Sequence, residues 1–409
     1  ATQVTLITRP RRFGKTLNMS MLSAFFDIRR DSGELFDGLL VTENRTLCEL
    51  WMNQYPVLSL SLKSVNGLNF ASAYARLTAV MAELYKDHLY LMDSKTLNVY
   101  DKEYFDRIAA KKASAEEVGD GLLKLTRFLE SFYDRPVIVL IDEYDVPLAK
   151  ASERGYYTEM LDTVKSMMQA VKDNEALKFA VITGCLRVAK ESIFTGLNNL
   201  NINSILTRNF GEYFGFNEAE VEKMLAFYGI RERFTEVREW YGGYLFGETE
   251  IYNPWSLISY VYTAIDNSVV FPKPYWSNTS SNSIVRELVE RADDTVRGEL
   301  EELLADRTIE KPIHEDITYD DIYRSQDNLW NFLFFTGYLK AVSQRFERSK
   351  IYLTLTIPNS EIKYIYENMI REWFDMAVRK ADFTPLYQAL HIQDTAAIEE
   401  FINGQLTFS

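Results

Sequence analysis

The chain has 409 residues with a formal net charge of −14, and 47% of it is hydrophobic, which is enough for two or three domains with sizeable cores. No apolar run approaches the ~18 residues of a membrane span, and no basic segment followed by an apolar one opens the chain, so neither a membrane partner nor a secretory leader is expected and the expected compartment is the cytoplasm. Two cysteines, Cys48 and Cys185, and three scattered histidines, His88, His314 and His391, exclude a disulfide framework and a His-built metal centre.

In chain order, the first expected element is a strand at 4–8, and a helical pattern follows over 15–27. Between them lies Arg9-Pro10-Arg11-Arg12-Phe13-Gly14-Lys15-Thr16. Strand, turn with Gly-Lys-Thr, then helix is the context of a phosphate-binding loop. Its backbone N–H groups would cradle the phosphates together with the positive end of the helix. The expected nucleotide contacts are Arg11, Arg12, Phe13, Gly14, Lys15, Thr16 and Leu17. Lys15 would reach the β- and γ-phosphates, and the Thr16 hydroxyl would ligate Mg²⁺. Arg9 stands where such loops usually have their first glycine, which leaves Pro10 to stiffen the turn. Arg9, Arg11 and Arg12 are then expected beside the phosphates. The competing reading is a basic turn before an ordinary helix.

Further strands are expected at 55–62, 137–142 and 178–184, separated by helical patterns at 70–91, 115–133 and 156–173. Alternation of this kind implies a parallel sheet with right-handed crossovers. The segment 92–114 reads as an insertion or helical hairpin, and a short fifth strand is expected near 205–214. Pro136-Val137-Ile138-Val139-Leu140-Ile141-Asp142-Glu143 is an apolar run ending in two acids, the pattern of a strand buried on both faces. Open α/β sheets bind ligands at that end of their strands. Asp142 is the expected Mg²⁺ ligand through water, and Glu143 the expected general base toward an attacking water. Two solvated acids ending a strand are the alternative. Thr183 ends the strand at 178–184 and is the expected γ-phosphate sensor, or else a hydroxyl satisfying a local turn. Arg187 could touch the γ-phosphate or a neighbouring subunit, or be an exposed surface arginine.

From Asn217 the pattern becomes mainly helical, with Asn217 as a helix cap and acids in the first turn. Trp240-Tyr241-Gly242-Gly243-Tyr244 reads as a close-packed turn, and Pro254 sits where a helix would start. Residues 328–335 form an aromatic-rich helix, and 337–342 and 351–357 alternate as two strands of a hairpin with a basic tip at 343–350. Arg345, Arg348 and Lys350 at this tip could contact DNA, but the acidic balance of the chain favours packing against the first unit.

Seven stretches in this order, TRPRRFGKTLNMSMLSAFF, VIVLIDEYDVPL, VITGCLRVAKESIFTGLNNL, FGFNEAEV, WYGGYLFG, IYNPWSLISYV and IPNSEI, resemble the bacterial AAA-ATPase-like family from about Val4 to about Phe374. In that family the ATPase region is usually followed by a PD-(D/E)XK nuclease-like domain. Arginine in place of the first loop glycine is a habit of the family. The resemblance implies an α/β P-loop NTPase core of the AAA+/STAND kind, and the patterns after it give the rest of the expected fold class: a helical lid and a winged-helix-like α+β unit. The expected boundaries are 1–215 for the core, 216–265 for the lid, 266–375 for the winged-helix-like unit and 376–409 for a helical linker. By the same resemblance ATP is the expected nucleotide, and Pro254 would contact its adenine.

The chain is expected to be cut at both ends. No D…(D/E)-x-K signature follows residue 375, so nuclease activity is not carried over, and a nuclease-like domain is at most a neighbour in a longer protein. A Mg²⁺-dependent ATPase acting as a nucleotide-driven switch for a C-terminal effector is the expected function. A non-catalytic nucleotide-binding or protein-interaction module is the alternative. Homo-oligomerisation and nucleic-acid association stay open.

Overall fold

The computed structural model describes residues 3–187, 193–194, 200–266, 270–276, 293–322, 325–380 and 384–400. Five parallel strands, β1 (Gln3–Thr8), β2 (Val57–Ser61), β3 (Val137–Asp142), β4 (Leu177–Gly184) and β5 (Leu200–Asn203), form one sheet in the order β2-β3-β4-β1-β5. Helices Lys15–Phe26, Phe70–Lys86, Ala115–Tyr133, Val146–Arg154 and Tyr157–Met167 flank it. Every residue of β3 is buried, and each large aliphatic side chain there contributes roughly 1.5–3 kcal/mol by leaving water. Strand β4 lies between β1 and β3, so the phosphate-loop strand and the Asp-Glu strand flank the strand that ends in Thr183.

The segment 92–114 contains the helix Val99–Ala109, which packs on Phe70–Lys86 and Ala115–Tyr133. Those two helices pack closely on each other: the Tyr85 hydroxyl donates to the Gly121 carbonyl at 2.8 Å, and a Cβ at Gly121 would stand 2.9 Å from Met81 Cε. The fifth strand falls earlier than expected: β5 is Leu200–Asn203, whereas 205–214 holds turns and the short 3-10 helix Gly211–Tyr213. Strand β5 is a four-residue edge strand, half-buried except at Asn203, so its apolar signal is weak.

After β5 the expected helices appear as Glu218–Phe227, Phe234–Tyr241 and Pro254–Asp266. Asn217 and Glu220 close a reciprocal capping box on the first. The stretch is not purely helical, because β6 (Tyr244–Phe246) and β7 (Thr249–Ile251) form a hairpin directly after the Gly242-Gly243 turn. Val221, Leu225, Val237, Tyr241, Leu257 and Tyr260 form a separate apolar cluster here.

Beyond it, helix Asp294–Leu304, β8 (Ile309–Ile313), helix Gln326–Phe335, β9 (Lys340–Glu347) and β10 (Lys350–Thr356) build an antiparallel sheet ordered β8-β10-β9. The hairpin is longer than expected. Both strands run into the basic segment, which leaves Arg348-Ser349, each at positive φ, as a two-residue turn. Its aromatic helix shares one continuous hydrophobic core with β1–β4. Helices Ser360–Lys380 and Thr384–His391 follow. Residues 277–292 of the expected third unit and 401–409 of the expected linker lie outside the described residues. Among the described residues no helix is long and apolar enough to cross a membrane.

Candidate nucleotide-phosphate site

The carboxyl ends of β1, β3 and β4 converge on Asp142. Its Oδ2 accepts from the Thr16 hydroxyl at 2.7 Å, and its Oδ1 accepts from the Thr183 hydroxyl at 2.6 Å. The three residues come from three neighbouring segments, so the parallel sheet itself brings them together. A hydroxyl beside a carboxylate is a hard-oxygen donor set. It fits Mg²⁺, which typically takes one or two protein oxygens and completes its shell with water and phosphate oxygens.

Lys15 is buried, and its ammonium donates to the carbonyls of Arg9 at 2.9 Å and Pro10 at 2.8 Å, with Cys185 Sγ at 3.7 Å. The charge therefore sits inside the loop's own curve. Gly14, at φ 77°, is the N-cap of helix Lys15–Phe26, a left-handed conformation that glycine adopts without strain. Arg12 adopts φ 67° without being glycine. Its guanidinium lies 4.4 Å from the centroid of the Trp255 ring and donates to the Tyr275 carbonyl at 3.4 Å.

Two expectations need correction, one for Arg9 in the loop and one for Arg187 after β4. The Arg9 side chain is tied into the interior rather than left free to meet a ligand. It is fully buried, donates to the carbonyls of Thr8, Asn203 and Asn209, and stands 5.3 Å from the ring centroids of Phe214 and Phe246. Burial lowers its pKa to about 10, still charged at neutral pH. The Phe13 side chain is core, edge-on to Tyr244 at 4.8 Å and Phe246 at 5.0 Å, so only its backbone is available to a ligand. Arg187 is not an exposed arginine. It is half-buried and paired with Glu315 at 3.5 Å and Asp316 at 3.4 Å.

Leu17, 64% exposed, and half-buried Pro254 occupy the first turns of their helices, and Pro254 adjoins the Trp255 that covers Arg12. Glu143 is half-buried at φ 54°, just beyond β3. Loss of hydration raises its pKa, opposed by the charge of Lys15. It lines a cleft of about 630 Å³ together with Arg11, Arg12, Lys63, Lys150 and Arg154, while Lys15, Thr16 and Asp142 lie outside that cleft's lining.

Sequence reasoning missed Asp145. This carboxylate is 1% exposed, and its Oδ2 accepts from the backbone N–H of Cys185 at 2.9 Å and Leu186 at 3.0 Å, and from the Tyr319 hydroxyl at 2.8 Å. The approach is tight: a Cβ at Gly184 would stand 2.7 Å from Asp145 Oδ1. Burial lowers the Arg11 pKa, but its neighbours Cys185, Tyr319 and Asp145 outweigh it and raise the pKa overall. Only the position of Asp145 just past the Asp-Glu pair hinted at a role.

Residues 1–194 match the AAA-ATPase-like family, described as predicted AAA-ATPase, so the resemblance carried by the loop and the Asp-Glu strand holds for that region. An uncharacterized protein in the vnfD 5′ region of Azotobacter chroococcum mcd 1 is 27% identical over 291 residues, covering 69% of this chain. The chain spans about half, 48%, of that relative's length.

Proposed function

We propose that the AAA-ATPase-like region binds Mg·ATP and hydrolyses it, and that nucleotide state moves the later segments of the chain to control an effector beyond it. One observation carries the switch reading: five consecutive loop residues are each held by later segments of the chain. Arg9 is held by β5 and the 209–214 turn, and Pro10 lies where a Cβ at Gly337 would meet it at 2.9 Å. Arg11 neighbours Tyr319, Arg12 is held by Trp255 and Tyr275, and Phe13 by β6. A loop gripped this way cannot rearrange around phosphates without shifting those grips.

In this reading the backbone of Phe13, Gly14 and Leu17 and the Lys15 ammonium hold the phosphates, and Lys15 leaves its carbonyl partners to do so. Thr16 and Asp142 would hold Mg²⁺, which would supply positive charge toward phosphate oxygens. Thr183 keeps Asp142 oriented and senses the γ-phosphate position. Glu143 orients the attacking water and takes its proton, and Arg11 or Arg12 compensates charge. Pro254, and Trp255 beside it, would face the adenine. The 216–265 segment is proposed as a lid. The 266–375 segment is proposed as a winged-helix-like unit, a reading supported by the sheet order β8-β10-β9 after a helix. Arg345 is bound by Glu310 and Glu347, which favours packing over nucleic-acid contact for that unit. A nuclease-like effector remains a proposal from the family resemblance.

Calorimetry and turnover on paired variants test the reading. Lys15→Ala should weaken Mg·ATP binding at least tenfold, about 1.4 kcal/mol or more. Glu143→Gln should retain binding and lower turnover roughly 100-fold or more. Binding to wild type without turnover would favour the static nucleotide-binding module, and unchanged turnover in Glu143→Gln would remove Glu143 as the base.

A further inference from the structure

A cleft of about 630 Å³ lies beside the phosphate loop and is not lined by Lys15, Thr16 or Asp142. Its far wall comes from two segments that the nucleotide reading does not use. One is the loop after β2, which brings Lys63, Asn66 and Leu68. The other is helix Val146–Arg154, on which Val146, Lys150 and Arg154 recur every four residues and so share one face.

The backbone of the loop wall is held in place. Leu62 and Val65 are fully buried on either side of exposed Lys63. The Gly67 carbonyl accepts from the Tyr156 hydroxyl at 2.9 Å, and Gly67 packs so closely that a Cβ there would lie 2.5 Å from the Ala73 nitrogen. Asn69 and Ser72 then close a capping box that fixes the loop's exit. The loop's cation is therefore presented on a held backbone rather than a waving one.

The charge is one-sided. Lys63, Lys150 and Arg154 face Arg11 and Arg12 across a space whose carboxylate is Glu143, in a chain of net charge −14. Lys150 is paired with Glu153 at 2.8 Å, but among the described residues neither Lys63 nor Arg154 has a carboxylate within ion-pair distance. Cations held on fixed walls repel one another unless an anion shares them. Leu68, 76% exposed, and Val146 supply apolar surface at the same cleft. A volume of about 630 Å³ suits a small organic molecule.

We propose that this cleft is a second anion site, which takes an organic phosphate monoester of about mononucleotide size on Lys63, Lys150 and Arg154, separate from the nucleotide on the phosphate loop. The phosphate is held by the three cations, and the organic part lies along Leu68 and Val146. The site does not require that ATP be hydrolysed, so it stands or falls apart from the ATPase reading.

The test is calorimetric titration of thymidine 5′-monophosphate, and separately of inorganic phosphate, into wild type, Lys15→Ala and the double variant Lys63→Glu/Arg154→Glu. The monophosphate is expected to bind wild type and Lys15→Ala alike. It should bind the double variant at least tenfold more weakly, while Mg·ATP affinity there stays within about threefold. The charge-preserving pair Lys63→Arg/Arg154→Lys should keep monophosphate binding, which separates lost charge from lost fold. Failure of the monophosphate to bind wild type would overturn the proposal. So would its loss in Lys15→Ala with retention in the double variant, because the phosphate loop would then be its only seat. Equal affinity for inorganic phosphate would overturn the organic assignment. Monophosphate binding without any Mg·ATP binding would leave this site standing and sink the ATPase reading.

Discussion

The two main sheets carry similar charged side chains and give them opposite fates. In the parallel sheet, Asp142 and Thr183 lie at strand ends and meet Thr16 from the first turn of the following helix, while Lys15 is held inside the loop by the carbonyls of Arg9 and Pro10. In the antiparallel sheet, Arg345 lies mid-strand on an exposed face, donates to Glu310 at 2.6 and 2.7 Å, contacts Glu347 and covers the Tyr352 ring at 4.3 Å. A strand end concentrates groups from several segments, whereas a strand face spreads them across neighbours that neutralise each other. Charge in this molecule acquires chemistry from where a strand stops.

The sharpest way to break that contrast is to damage the strand-end scaffold without touching a proposed ligand contact. Asp145→Ala removes the acceptor of two backbone N–H groups and the Tyr319 hydroxyl in a buried place. It should cost about 2–4 kcal/mol in chemical denaturation, with Tyr319→Phe costing only about 1 kcal/mol.

Next is Glu361, fully buried beneath Arg12. Its Oε1 accepts from the Trp276 N–H at 2.8 Å and the Ser256 hydroxyl at 3.0 Å. Burial raises its pKa from 4.5 to about 7, against the pull of those donors and of Arg12. A carboxyl whose folded value is raised binds its proton more tightly when folded. Its contribution is therefore full below pH 4.5 and is lost as pH rises through about 7. Thermal unfolding of wild type across that window, compared with Glu361→Gln, should show the slope removed by the substitution, an effect of at most about 3 kcal/mol.

Glu143 gives a smaller, kinetic signature. A base with a raised pKa loses its working form on acidification, so the acidic limb of turnover should lie above the ordinary carboxylate range and disappear in Glu143→Gln. The smallest effect belongs to the other sheet: Arg345→Ala should change stability by about 0–1 kcal/mol, since exposed ion pairs contribute little. A large loss of nucleotide binding in that variant would collapse the distinction between the two sheets.

The legible parts of the fold were those written in neighbouring residues. Strands β1 to β4 announce themselves as apolar runs, and the phosphate loop as a motif between strand and helix. Strand β8 was hidden because it is an edge strand containing Pro312, a residue that ordinarily argues against a strand. Strand β9 was cut short because its outer half is polar and exposed, as a solvent face must be. Within the site, Lys15, Thr16 and Asp142 were readable by type and spacing, and the direct bond from Thr183 to Asp142 follows from β4 lying beside β3. The link from Asp145 to Tyr319 was not readable, because it joins residues 174 positions apart through side chains that carry no local pattern.

Arg9 has a consequence for how quickly the site can respond. A glycine at the loop's first position would act as a hinge, and the loop would sample many shapes before settling on a ligand. Here that position is riveted to three backbone carbonyls and flanked by two aromatic rings. At this one position the ordering entropy has already been spent during folding, so a ligand that reshapes the loop must do so against the segments that hold Arg9. A slow step in the proposed switch would then belong to the loop and the segments that grip it together.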